Sequence, residues 1–130
     1  MWTVVRVPGA EDSTRILGGV LDEWRAGIDA HDPARVSALF TDDAIFQGLR
    51  PYTVGTAGVA RYYDAQPSGL AVRYRILETR RPSADVVLGY LAADFSFADR
   101  DPLPLHVAVV VLRTARGWRI VSYQASSVPG

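Results

Sequence analysis

From Ser13 onward the apolar residues Ile16, Leu17, Val20, Leu21, Trp24 and Ile28 recur at spacings of one, three and four, which predicts one stripe of a long helix. Asp12 or Ser13 can cap it. In the following AHDPARVSALF, Asp32 stands as an N-cap and Pro33 at the first helical position, where the missing backbone N–H costs nothing. A second, short helix is expected there, burying Val36, Leu39 and Phe40 and ending near Thr41. A short strand around Ala44 to Gln47 and an irregular segment through Pro51 lead to a third helix from about Thr56 to Gln66. Val59, Tyr62 and Tyr63 share its inner face, and Pro67, Ser68 and Gly69 stop it.

Beyond Gly69 the period changes to two. LAVRYRILETR sets Val72, Tyr74 and Ile76 against Arg73 and Arg75, the alternation of a half-buried strand. DVVLGYLAADFSFAD, LPLHVAVVVLRTA and GWRIVSYQASSV follow as three more strands, with turns at Asp99 to Pro102 and Ala115 to Gly117. Helices first and hairpin-connected strands afterwards predict an α+β fold, with the helices on one face of an antiparallel sheet. The strand LHVAVVVL is apolar at both parities, so both its faces need cover. One covers the core; a homodimer packed sheet to sheet is the expectation for the other.

The chain has 130 residues and no internal repeat, linker or low-complexity tract, so a single domain over 1–130 is expected. Fourteen basic residues balance fourteen acidic ones, which gives no field favouring nucleic acid or an anionic membrane as a partner. All fourteen basic residues are arginine, so Schiff-base chemistry on a lysine is excluded. The absence of cysteine removes disulfides, thiolate nucleophiles and iron–sulfur or zinc–thiolate sites. The opening MWTVVRVPGAEDS lacks a signal-peptide pattern and no segment is apolar enough to span a bilayer, so a cytoplasmic location is the expectation. With two distant histidines, no Gly-rich phosphate loop and no dinucleotide fingerprint, neither a metal nor another cofactor is expected.

Several polar residues can carry chemistry. The adjacent Asp42 and Asp43 follow a helix end, where short acids bond to the backbone and turn the chain, and neighbours entering a strand point to opposite faces. Asp94, in YLAADFSF, lies either on the solvent face or among aromatic side chains. His106 opens the next strand, and a hairpin at Asp99 to Pro102 brings it across from Asp94 or Ser96. A histidine and a carboxylate so placed can form an acid/base pair. His31 belongs to a helix end. Tyr123 and Gln124 lie on opposite parities of the final strand, and a single bulge would exchange which of them faces inward.

LDEWRAGIDAHDPARVSALF, the junction FTDDAIF, the helix VGTAGVARYY and the closing GWRIVSYQ together resemble the nuclear transport factor 2-like superfamily, and within it the SnoaL-like and SgcJ/EcaC-type small proteins. The resemblance covers nearly the whole chain. It implies a cone: three N-terminal helices packed on a strongly bent antiparallel sheet enclosing an apolar pocket. It licenses no particular reaction, because the superfamily includes isomerases, cyclases and pure binding or oligomerisation domains. Aligned with the steroid-isomerase branch, FTDDAIFQG puts Gln47 and Gly48 where acids would stand, so the usual general base is missing. The resulting expectation is a small-molecule-binding protein for a hydrophobic, oxygenated metabolite such as a polyketide intermediate, with cofactor-independent isomerase or cyclase chemistry as the catalytic version. Asp94 and His106 would move protons; Trp24, Phe46, Gln47, Tyr52, Tyr62, Tyr90, Tyr123 and Gln124 would contact the ligand. A non-catalytic ligand-binding or dimerisation domain is the alternative.

Overall fold

A computed structural model of the chain describes residues 10–129. The N-terminal segment that bears on a signal peptide lies outside the described residues. The described residues form three helices, α1 (Ala10–Asp29), α2 (Pro33–Ser37) and, after the first two strands, α3 (Thr56–Asp64). Six strands form one sheet: β1 (Phe40–Gln47), β2 (Thr53–Val54), β3 (Ala71–Ser83), β4 (Val86–Ser96), β5 (Leu103–Thr114) and β6 (Gly117–Ser127). Their order across the sheet is β2-β1-β6-β5-β4-β3. The architecture is α+β, with the helices against the inner face of a curled, unclosed sheet.

The helix stripe behaves as its spacing predicts. Leu17, Val20, Leu21, Trp24 and Ile28 are buried, and α1 packs chiefly along β3. It begins at Ala10, ahead of the expected cap, so Asp12 and Ser13 lie inside its first turn rather than before it. At its other end His31 takes a left-handed φ of 48°, its N–H reaching the Ile28 carbonyl and the Asp32 N–H that of Gly27. This is a Schellman stop with histidine where glycine is usual. Asp32 then caps α2 by accepting from the Arg35 N–H at 3.1 Å.

Two features depart from the sequence expectation. The sheet is mixed, because β1 runs parallel to β6 while every other pairing is antiparallel. Strand β1 also starts at Phe40, so Asp42 and Asp43 lie within it rather than in a turn ahead of it. The register slips between Phe40 and Ile45, and at this irregularity the two acids are both exposed instead of alternating. Thr41 donates to Asp43 at 2.9 Å, and Arg116 donates to Asp42 at 3.4 Å. Solvated carboxylates with such partners are a structural device, in keeping with a bulge where the ladder cannot pair.

Strand parity decides which side chains face the helices. Val72, Val87, Leu91, Ala93, Phe95, Leu105, Val107, Val109 and Val111 are buried on the inner face. On β6 a bulge intervenes: Val111 pairs with Ile120 but Val110 pairs with Ser122, leaving Val121 as the extra residue. Ile120 and Tyr123 therefore both point inward despite their opposite parity.

Candidate functional site

At one end of the cone the inner face does not close. A cavity of about 170 Å³ opens between α3, the segment after β1, and the adjoining ends of β4, β5 and β6. Leu70, Phe95, Leu105 and Ala125 supply apolar wall. Tyr62, Tyr63 and Tyr123 add rings and hydroxyls, and Arg50, Gln66 and Arg100 stand at its mouth. Among the described residues, neither a carboxylate nor an imidazole lines it.

The tyrosines form an ordered cluster. Trp24, buried behind the wall, donates its indole N–H to the Tyr63 hydroxyl at 3.0 Å. Tyr63 and Tyr123 lie close enough for each phenol to influence the other. With its oxygen accepting from Trp24, the Tyr63 hydroxyl keeps its own proton to donate. Phe46 stacks on Tyr123 with ring centres 4.6 Å apart and meets Tyr62 edge-on at 4.8 Å, fixing both rings. Burial pushes the phenol of Tyr63 upward, and that of Tyr123 well upward, from the ordinary tyrosine value. Tyr62 is raised by burial too, opposed by a backbone hydrogen bond at Leu49 and by the positive charge of Arg50.

Gly48 has a specific job in this arrangement. A Cβ at this position would collide with the Tyr62 hydroxyl and ring, so the backbone can approach that phenol only with glycine there.

Of the ligand contacts expected from sequence, the cavity brings together Tyr62 and Tyr123. Trp24 and Phe46 are fully buried behind it and orient its tyrosines instead. Gln47 pairs with Gln124 in the β1–β6 ladder, and Gln124 is exposed on the outer face. Tyr52 is 65% exposed, away from the cavity. Asp94 is exposed on the outer face of β4, flanked in register by Arg73 and Pro104. His106 lies on that same outer face, opposite Ala92 and diagonal to Asp94, and its Nδ1 shares a 3.1 Å hydrogen bond with the Tyr90 hydroxyl. The sheet itself separates these three residues from the cavity.

Tyr63, Arg50 and Arg100 are cavity residues that the sequence did not single out as ligand contacts. For Tyr63 a signal existed, since it shares the inner face of α3 with Tyr62. The arginines sit in irregular segments with no periodicity to read.

A cone of three helices on a curled sheet, with a pocket at one end, defines a nuclear transport factor 2-like protein. More narrowly, residues 19–129 match the SnoaL-like domain model, and the chain belongs to that family. No curated protein matches the chain. Among solved structures it is similar to a ketosteroid isomerase-like protein from Erwinia carotovora atroseptica, at 22% identity and a TM-score of 0.70 over 89% of this chain and 96% of that one. A nuclear transport factor 2-like protein with a cystatin-like fold from Novosphingobium aromaticivorans gives 15% identity and a TM-score of 0.75 over 92% and 84%. A domain of unknown function from Nostoc punctiforme gives 13% and 0.77 over 96% and 81%. At these identities the likeness establishes the fold alone.

Proposed function

We propose that this protein binds a small, hydrophobic, oxygenated metabolite in the cavity and that Asp94 and His106 take no part in the binding. The supporting observation is the lining: aromatic and aliphatic walls that include three tyrosines and, among the described residues, no carboxylate or imidazole to abstract a proton from carbon. Polyketide-derived intermediates are one class with this combination of rings and oxygens. The reading is tested by titrating a panel of one- and two-ring compounds against the protein by ligand-observed NMR. Saturable binding should be lost when Ala125→Phe fills the cavity and survive both Asp94→Asn and His106→Ala. Binding that persists in Ala125→Phe but disappears in either sheet variant would overturn it.

A second reading concerns assembly. Leu88, Tyr90 and Val110 form an apolar strip along the outer face of β4 and β5, beside Ser122 and Gln124. A second copy of the chain packed sheet to sheet is the proposed occupant. A monomer mass in solution at micromolar concentration would rule it out.

A further inference from the structure

We propose that the ligand of this cavity is a small ring-bearing carboxylate, its ring held among Phe95, Leu105 and Tyr123 and its carboxylate anchored at the mouth by Arg50 and Arg100. This rests on the cavity being a binding site and adds the chemical class. Size comes first. A cavity of about 170 Å³ slightly exceeds the roughly 150 Å³ known to accept a benzene-sized guest and falls short of the roughly 300–1,000 Å³ that houses drug-sized ligands. It has room for one ring with a short substituent.

Sign comes second. The chain as a whole is neutral, yet among the described residues the only ionic side chains lining the cavity are two guanidinium groups. Arg50 forms no ion pair among the described residues. Arg100 pairs with Asp99 at 3.5 Å, but both side chains are mostly exposed, and such a pair yields readily to a better-placed anion. The Phe97 ring lies 4.2 Å from the Arg100 guanidinium and holds it at the mouth. The charge of Arg50 also reaches inward, since it acts on the Tyr62 phenol. Two planar forks above an apolar slot suit a planar carboxylate, which can accept paired N–H donors, better than an uncharged oxygen.

The test is isothermal titration of the full chain with benzoate and trans-cinnamate, with benzamide and cinnamamide as neutral shapes, and with inorganic phosphate as an anion lacking a ring. At least one carboxylate should bind tenfold or more tighter than its amide, and tighter than phosphate, and should weaken as salt is added. Arg50→Gln combined with Arg100→Gln should cost that acid tenfold or more, while the amides are unaffected and Arg116→Gln changes nothing. Both arginines are exposed, so an unchanged melting curve is expected for the double variant. Amides binding as tightly as acids, or phosphate matching both, would overturn the charge assignment and leave the pocket reading standing. If neither acids nor amides bind saturably, the pocket reading fails and this one with it.

Discussion

Close contact between α1 and the sheet depends on the glycine at position 89 of β4. A Cβ built there would lie 3.0 Å from Val109 Cγ2 and 3.2 Å from Leu17 Cδ1, with Leu17 Cδ2 nearer still. Carbon atoms in ordinary contact sit about 3.5–4.0 Å apart. Leu17 is fully buried, so the shortfall must be met by moving a packed side chain or the helix that carries it. Overpacking of this kind costs about 1–3 kcal/mol. Gly89→Ala should therefore lower the melting temperature by roughly 4–12 °C, taking about 4 °C per kcal/mol for a domain of this size. Gly19 supplies the opposite sign. It is exposed on α1, a Cβ there would meet nothing within 4 Å, and alanine should raise stability by about 0.5–1 kcal/mol. Calorimetric melts and urea midpoints with unchanged slope would measure both. In a Leu17→Ala background the added methyl should lose most of its penalty, because the two Leu17 methyls are gone and only Val109 Cγ2 remains close. A Gly89→Ala protein as stable as the parent would refute the close approach of α1 to β4.

Three further outcomes follow from the same geometry. His31→Gly should stabilise by about 1 kcal/mol, since only glycine enters the left-handed region without a steric cost; a loss of stability on urea denaturation would count against the stop described for α1. Tyr63→Phe should destabilise by about 1–3 kcal/mol, because it strands the buried Trp24 N–H, and an unchanged urea midpoint would mean that the indole finds another acceptor. At alkaline pH, Tyr74 is pushed up to about 12 by burial and by the hydrogen bond and charge of Asp22, with Tyr63 and Tyr123 also raised. An unfolded tyrosine ionises near pH ~10. The unfolded chain therefore sheds protons that the folded one keeps, so stability holds below pH ~10 and falls as pH rises toward 12. Following phenolate absorbance alongside circular dichroism checks this: all six tyrosines ionising together near pH ~10 with the fold intact would contradict it.

Much of this fold is legible in the sequence because burial imposes a period. The stripe from Leu17 to Ile28, the Asp32 cap followed by Pro33, and the alternation in β3 each combine a local geometry with its energetic reason, so few alternatives compete. The parallel pairing of β1 with β6 leaves no such mark. It joins segments far apart in the chain, and no local pattern encodes which edge of a sheet an early strand will meet. Which face of β4 and β5 turns inward is equally hidden. Tyr90 and Ala92 on one parity oppose Leu91 and Ala93 on the other, so apolarity fails to distinguish inside from outside. Their faces are set by where α1 docks, which is a tertiary fact. On β6 the extra residue Val121 exchanges the parities partway along, so that alternation read from Ile120 assigns Tyr123 to the wrong side.

That ambiguity matters for chemistry, because the two faces carry different kinds of polar group. Outside, His106 and Asp94 stand on the face of the sheet turned away from the cavity. Inside, the hydroxyls of Tyr63 and Tyr123 lie where burial makes their anions costly, so they keep their protons throughout the physiological range. A phenol so held is a hydrogen-bond donor, and a poor base. The Trp24 N–H occupies the Tyr63 oxygen as a donor, while Gly48 lets the backbone close on Tyr62. On the proposed reading these phenols would meet an electron-rich oxygen on a ligand, whether a ground-state carbonyl or a developing oxyanion. Any proton removed from carbon in this cavity would need a base brought by the ligand itself or by water. On the proposed reading, binding is the activity these residues perform, and substitutions in the cavity wall, rather than at the acid and imidazole across the sheet, are expected to change it.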